Sequence, residues 1–117
     1  MSNRELSPAV EVVPEPREPE YIIALRQARG RIDAPEKWCQ QVYHYGGGHC
    51  MLGSLGWPEA IGRLDTASDD ASWLLQRVVG TNSVPAFNDH PSTTHADVMA
   101  AFDLAIEQAT KDWLNAR

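Results

Sequence analysis

The stretch VPAFNDHPSTTHADVMAAFDLAIEQA, residues 84–109, decides the fold. Its first part is polar and contains two prolines, so we predict a loop over residues 81–93. Thr94 is followed three residues later by Asp97, a relative of the capping box that marks a helix start. Beyond it, apolar residues recur at three- and four-residue steps: Val98, Ala101, Phe102, Ala105, Ala109 and Trp113. The pattern predicts a long amphipathic C-terminal helix.

Two segments further upstream also have helical signals. From Tyr21 to Ile32 the apolar residues fall at three- and four-residue steps, which predicts an amphipathic helix. Ser68 precedes two acidic residues, so we predict that it caps a second helix, which ends at Gly80. Together with the C-terminal helix, these segments predict a mainly α-helical domain.

Shorter elements are expected between these helices. A helical turn is predicted near Trp38, and residues 42–45 favour a brief strand or an irregular segment. The triple glycine at residues 46–48 favours a flexible connection without regular structure. Residues 50–55, CMLGSL, predict a buried helical segment in which the small Gly53 and Ser54 let another helix approach closely.

Length and composition indicate a single soluble domain. The chain has 117 residues, of which 43% are hydrophobic, enough to bury a modest core. It has no apolar run of the roughly 18 residues that a membrane span needs, and its N-terminus lacks the pattern of a signal peptide. We therefore expect a cytoplasmic protein without membrane contact, in which Cys39 and Cys50 are free thiols.

Residues 1–20 differ in composition from the rest of the chain. They contain half of its eight prolines and no aromatic residue. Such a segment cannot bury enough apolar surface to offset the loss of conformational entropy. We predict a disordered tail over residues 1–20 and a single helical domain over residues 21–117.

The overall charge bears on the class of partner. Sixteen acidic residues against ten basic ones give a formal net charge of −6. Proteins that bind nucleic acid directly usually present a basic stripe, so we expect no direct nucleic-acid binding. The same charge would suit a protein that covers a basic surface on another protein.

Cysteine and histidine side chains could in principle bind zinc. The candidates are Cys39, His44, His49 and Cys50, with His90 and His95 joining them in space. Their spacing does not match the close Cys or His pairs of zinc fingers, and small helical domains commonly bury cysteines as apolar side chains. We therefore expect no metal and no cofactor.

A Cys-His nucleophile is a second chemical hypothesis. Cys50 lies near a predicted helix start, where the helix dipole could lower the pKa of its thiol. His95 or His90 could act as the base, oriented by Asp89 or Asn88. Such combinations arise by chance in many sequences, and mutual hydrogen-bond reach is required before a role is assigned. We expect no catalytic residue, and keep Cys50, His95 and Asp89 as the alternative set.

The polar run Asn88, Asp89 and His90 is the candidate binding site for a small ligand or partner. Asparagine and aspartate side chains also fasten loops by bonding to nearby backbone amides. We favour this structural interpretation of Asn88 and Asp89.

Three segments resemble a family of small bacterial and phage-borne proteins of unknown function. They are WCQ at residues 38–40, CMLGSL at residues 50–55, and VPAFNDHPSTTHADV at residues 84–98, followed by FDLAI at residues 102–106. The family pattern has Trp-x-Gln-Gly, Cys-x-Leu-Gly-Ala-Leu, and Trp-Asn-Asp-x-Pro-x-x-Thr leading into a final helix. This chain departs from it with Gln41 in place of Gly, Ser54 in place of Ala and Phe87 in place of Trp. The resemblance covers about residues 21–110 and implies a fold but no activity.

We therefore predict a compact bundle of four or five helices with a long C-terminal helix. The preferred function is a non-catalytic, acidic protein that binds another macromolecule, most simply a protein. A phage-borne inhibitor of a host defence or nucleic-acid enzyme is one specific form. The alternative is a small enzyme or ligand binder that uses Cys50 with Asn88, Asp89 and His95.

Overall fold

The computed structural model describes residues 17–57, 64–80 and 83–116. Within these ranges it has five α-helices: α1 (Glu20–Arg31), α2 (Met51–Ser54), α3 (Thr66–Val79), α4 (Val84–Asp89) and α5 (His95–Ala116). A 3-10 turn covers Pro35–Lys37, and a hairpin of β1 (His44–Tyr45) and β2 (Gly48–His49) precedes α2. The mainly helical fold and the long C-terminal helix predicted from the sequence are confirmed.

The core lies between α1, α3 and α5, which pack on one another. Its largest fully buried apolar side chains are Phe102, Ile22, Leu25, Ile32, Met51, Leu75 and Val98. Burial of each such side chain contributes about 1.5–3 kcal/mol relative to exposure. Met51 brings the short helix α2 into the same core, so the segment after the hairpin is fixed to the bundle. None of the described helices is long and apolar enough to cross a membrane.

The start of α5 has the cap that the sequence predicts. Oγ1 of Thr94 accepts a hydrogen bond from the backbone N of Asp97 over 3.1 Å. Oδ2 of Asp97 in turn accepts one from the backbone N of Thr94 over 2.9 Å. This reciprocal pair satisfies two N–H groups that the helix itself cannot bond.

The predicted loop over residues 81–93 is wrong in its central part, because Val84–Asp89 forms α4. Ser83 caps this helix by accepting a hydrogen bond from the backbone N of Ala86 over 3.0 Å. Pro85 lies in the first turn, where a missing N–H costs no helical hydrogen bond. Proline therefore indicated a helix start here and not a loop.

The predicted cap of α3 is also wrong. The helix begins at Thr66, and Asp65 caps it by accepting a hydrogen bond from the backbone N of Ser68 over 2.8 Å. Ser68 is buried within the first turn. The predicted C-terminal stop is confirmed, since Gly80 adopts the left-handed conformation with a φ of 71°.

The triple glycine does not form an irregular connection. Gly46 and Gly47 are the two turn residues of the hairpin, with φ values of 58° and 83°. Two-residue hairpin turns of this kind need positive φ at both positions, which glycine adopts without strain. Gly48 belongs to β2 and pairs with Tyr45.

Gly53 is approached by the hairpin and not by another helix. A Cβ atom at this position would clash with the backbone carbonyl oxygen of Tyr43 and would lie 3.2 Å from Cε1 of His44. The missing side chain therefore lets α2 lie directly against the hairpin backbone.

The predicted tail falls mainly on residues 1–16, which lie outside the described residues. Its last four residues are described. The carbonyl oxygen of Pro19 accepts hydrogen bonds from the backbone N of Ile22 and Ile23. Nη2 of Arg26 lies 2.7 Å from Oε2 of Glu18, so Glu18 and Pro19 are both joined to the first turns of α1.

Candidate functional site

Asn88 lies at the C-terminal end of α4, and its side chain is fully buried. Its Oδ1 accepts hydrogen bonds from Nε1 of Trp38 over 2.7 Å and from the backbone N of Met51 over 3.0 Å. Its Nδ2 donates to the carbonyl oxygen of Cys39 over 3.1 Å and to Oδ1 of Asp89 over 2.9 Å. These four bonds use the two acceptor and two donor positions of the side-chain amide.

Neighbouring residues extend these bonds into a network. Oδ1 of Asp89 also accepts from the backbone N of Gln41 over 2.8 Å. Nε2 of Gln41 donates to the carbonyl oxygen of Asp89 over 3.1 Å. Nε2 of Gln40 donates to the carbonyl oxygens of Asn88 and His90 over 2.9 and 3.1 Å. The helix itself leaves the carbonyl groups at the end of α4 unpaired. Residues 40 and 41 donate hydrogen bonds to these carbonyl groups.

We call this set of bonds the Asn88 network; its members are Trp38, Cys39, Gln40, Gln41, Met51, Asn88 and Asp89. Gln41 adopts a φ of 73°, a region that favours glycine and that other residues occupy at a cost. Its two hydrogen bonds to Asp89 hold it there. The network therefore stabilises a backbone conformation that the residue itself disfavours.

The hairpin is attached to this network through its backbone. The backbone N of Cys50 donates to the carbonyl oxygen of Tyr43 over 3.0 Å, and that of Cys39 donates to the carbonyl oxygen of His49 over 3.1 Å. A two-stranded hairpin alone is marginally stable in water. Anchorage on both sides makes it a fixed projection of the domain.

The hairpin and the two residues before it expose apolar and aromatic side chains. Val42, Tyr43 and Tyr45 have exposed fractions of 48%, 39% and 76%. The ring of Tyr43 packs edge to face on Trp57, with 6.1 Å between the centroids. We call Val42, Tyr43 and Tyr45 the hairpin surface.

Both cysteines have the environment of unreactive thiols. Cys50 is only 4% exposed, and its Sγ accepts a hydrogen bond from the backbone N of Gly53 over 3.2 Å. Burial raises the pKa of the Cys50 thiol, and it also raises the pKa of Cys39. This is the opposite of the lowered pKa that a nucleophilic cysteine needs.

The two histidines considered as the base for Cys50, His95 and His90, bond elsewhere. Nε2 of His95 donates to the carbonyl oxygen of Ile32 over 2.7 Å, and its ring lies 6.1 Å from that of Trp38. Nδ1 of His90 accepts from the backbone N of Ser92 over 3.1 Å. Within the described ranges, no hydrogen bond joins Cys50 to a histidine.

A small cavity brings two of the predicted site residues together. It has a volume of about 140 Å³ and is lined by Gln41, Val42, Tyr43, Cys50, Pro85 and Asp89. The cavity opens beside the hairpin surface and contains a carboxylate in its wall. His90 and His95 do not line it.

In residues 17–57, 64–80 and 83–116, no three His, Cys, Asp or Glu side chains are grouped as metal ligands. Two imidazoles nevertheless meet: Nδ1 of His44 lies 2.7 Å from Nδ1 of His49 on the paired strand. The sequence analysis named both histidines among its zinc candidates but did not predict that they pair across a hairpin. A two-residue Gly46–Gly47 turn fixes the register that places these histidines opposite each other, so a hairpin prediction would have found it.

The comparisons with known proteins assign a family. The sequence model of one family matches residues 16–108. The chain belongs to the family of unknown function DUF6197. Neither the curated proteins nor the solved structures gave a match.

Three segments singled out in the sequence analysis meet in the Asn88 network of this DUF6197 member. Trp38 and Gln40 come from the first segment, the backbone N of Met51 from the second, and Asn88 and Asp89 from the third. Sequence reasoning singled out Asn88 and Asp89 but missed their partners. Those partners lie 37 to 50 residues away, too far for a local pattern to reveal them.

Proposed function

We propose that this protein is non-catalytic and acts by binding a protein partner through the hairpin surface. The observation that supports the proposal most directly is the exposure of Val42, Tyr43 and Tyr45 on a firmly anchored hairpin. Tyrosine is enriched in protein interfaces because it offers a large apolar face and a polar hydroxyl.

The anchorage of the hairpin favours binding. A surface that is already held in one conformation loses little entropy when a partner docks on it. The backbone bond between Cys50 and Tyr43 and the contact of Gly53 with the hairpin both restrict its motion. Tyr45, with its exposed fraction of 76%, is the expected anchor in a partner's pocket.

The state of the candidate catalytic groups is consistent with this function. Asn88 uses its whole hydrogen-bonding capacity inside the fold, and the Cys50 thiol is buried with a raised pKa. His95 is bonded to a backbone carbonyl group. These groups act as parts of the scaffold that supports the hairpin.

An inhibitor carried by phage, directed at a host defence or nucleic-acid enzyme, is a specific form of the proposal. Its support is the formal net charge of −6, which favours association with a basic, nucleic-acid-binding surface. In that form, added nucleic acid competes with the protein for its partner, and capture weakens as salt is raised.

Affinity capture with three baits tests the proposal. The baits are the wild-type chain, a Tyr43→Ser/Tyr45→Ser variant, and a Trp73→Ser variant. Trp73 is a matched control because it is a large aromatic residue on α3 with an exposed fraction of 58%. We expect the wild type and Trp73→Ser to retain one stoichiometric protein that the tyrosine variant loses.

The binding result depends on folded baits. Circular dichroism and thermal melting should show that all three chains are folded. Equal capture by all three baits, or no stoichiometric partner under native conditions, would contradict the assignment to the hairpin surface.

The cavity supports a second candidate function, the binding of a small ligand. Its wall combines the Asp89 carboxylate with Gln41 and with apolar side chains, the usual composition of a small ligand site. Asp89→Asn separates the two functions, because the amide oxygen can replace the Oδ1 acceptor while the negative charge is removed. If Asp89→Asn is no longer stabilised against heat by an added ligand but still captures the partner, the cavity is the favoured site. If the variant keeps both the ligand's stabilisation and partner capture, the hairpin surface is the better proposal.

A further inference from the structure

His44 and His49 form a pair that the Asn88 network does not use. They are directly opposite each other on β1 and β2, and their rings are nearly perpendicular with centroids 4.9 Å apart. Their Nδ1 atoms lie 2.7 Å apart. At this distance one Nδ1 carries a hydrogen atom and the other presents its lone pair, since two lone pairs or two N–H groups would repel.

The positions of both rings are restricted by backbone structure. The turn at Gly46–Gly47 sets the register that pairs the two residues. The absent side chain of Gly53 leaves room for the His44 ring, whose Cε1 would lie 3.2 Å from a Cβ at that position. The carbonyl group of His49 accepts from the backbone N of Cys39. The two nitrogens are thus held close together before any ligand arrives.

We propose that His44 and His49 chelate one divalent transition-metal ion through their Nδ1 atoms. The ion would take the place of the hydrogen now shared between the two nitrogens. In the ring that carries this hydrogen, the proton moves from Nδ1 to Nε2. Both Nδ1 lone pairs then become available to the metal ion. The remaining coordination positions are filled by water.

The distances fit this chemistry. With metal–nitrogen bonds of about 2.0–2.1 Å, two ligands of one ion lie about 2.9 Å apart at a right angle and about 3.3 Å apart at the tetrahedral angle. The pair therefore has to open by roughly 0.2–0.6 Å from its 2.7 Å separation, which small side-chain rotations supply.

The donor set indicates the class of ion. Imidazole suits Zn²⁺, Ni²⁺ and Cu²⁺ and does not favour Mg²⁺ or Ca²⁺, which prefer oxygen ligands. Two protein ligands leave an open, exchangeable site and not the closed four-ligand centre of a zinc finger.

Calorimetric titration of the full-length, reduced chain with Zn²⁺ and Ni²⁺ tests the proposal, with Mg²⁺ as the hard-ion control. We expect one Zn²⁺ or Ni²⁺ per chain. His44→Gln and His49→Gln should each weaken binding by at least about tenfold, since even outer-shell changes at metal sites cost 10- to 100-fold. His90→Gln and Cys39→Ser should leave the metal affinity unchanged. This result would exclude the exposed imidazole of His90 and the thiol of Cys39 as metal ligands.

Nuclear magnetic resonance of the wild type covers the case in which a histidine variant does not fold. Added Zn²⁺ should shift the ring nitrogen signals of His44 and His49 and leave those of His90 and His95 in place. The proposal fails if no ion binds, if binding survives in both histidine variants, or if the shifted signals belong to other residues.

Discussion

The indole Nε1 of Trp38 donates to Oδ1 of Asn88 over 2.7 Å, across 50 residues of sequence. The same oxygen accepts from the backbone N of Met51. One buried atom therefore fixes the chain on both sides of the hairpin, before it at Trp38 and after it at Met51. The position of the hairpin surface depends on this contact.

Replacing Asn88 should be among the most destabilising single changes outside the apolar core. We expect Asn88→Ala to lower the free energy of unfolding by about 3–5 kcal/mol, because it leaves the N–H groups of Trp38 and Met51 without an acceptor at about 1–3 kcal/mol each. Urea denaturation measures the change. Asn115→Ala, at an exposed position of α5, is the control and should stay within about 0.5 kcal/mol of the wild type.

Asp89 should show a smaller effect that depends on its oxygen and not on its charge. Asp89→Ala is expected to cost about 1–2 kcal/mol, since the backbone N of Gln41 and Nδ2 of Asn88 lose their acceptor. Asp89→Asn keeps an oxygen at that place and should cost less. Unchanged unfolding in Asp89→Ala together with lost ligand or partner binding would instead identify Asp89 as a contact residue.

The strained conformation of Gln41 gives a sharper test through a pair of variants. Gln41→Ala removes the side-chain bond to Asp89 and keeps the strain of a φ of 73°. Gln41→Gly removes the same bond and relieves the strain. We therefore expect the glycine variant to be more stable than the alanine variant by about 1 kcal/mol in denaturant titrations. An alanine variant as stable as the glycine variant would show that the backbone is relaxed at this position.

The cysteines should react slowly with iodoacetamide. Because burial raises the pKa of Cys50 and of Cys39, each holds less thiolate at pH 8 than the same residue in the unfolded chain. We expect modification at pH 8 to be slower in the folded chain than in 8 M urea, and slower for Cys50 than for Cys39. The rates should rise as pH increases towards the raised pKa values. Rapid modification of Cys50 below pH 7 would revive the nucleophile hypothesis.

Helix α5 could be predicted because its signals are local. The cap at Thr94 and Asp97 and the apolar stripe through Phe102 involve residues three and four positions apart, and helical geometry alone brings these together. The same reasoning found α1. It missed α4, because the prolines near Asn88 indicated a loop although Pro85 is acceptable in a first turn.

The candidate site could be predicted only in part. Asn88 and Asp89 were selected by residue type, and their structural use as hydrogen-bonding groups was favoured. Their partners Trp38 and Met51 were not predicted, since tertiary packing and not local sequence decides which backbone groups an asparagine meets. The hairpin was missed because its strands are two residues each, too short for an alternating pattern to appear.

The hydrogen bonds that Asn88 makes to Trp38 and Met51 bear on the order in which parts of the chain can fold. The N–H groups of Trp38 and Met51 have no acceptor from this network until residue 88 has been added to the growing chain. Closing a loop of that length costs chain entropy, which is regained only when the distant contacts form. The bonds that hold the chain at Trp38 and Met51 can therefore form only after α4 has docked, so a fragment that ends before α4 would present the hairpin surface without them.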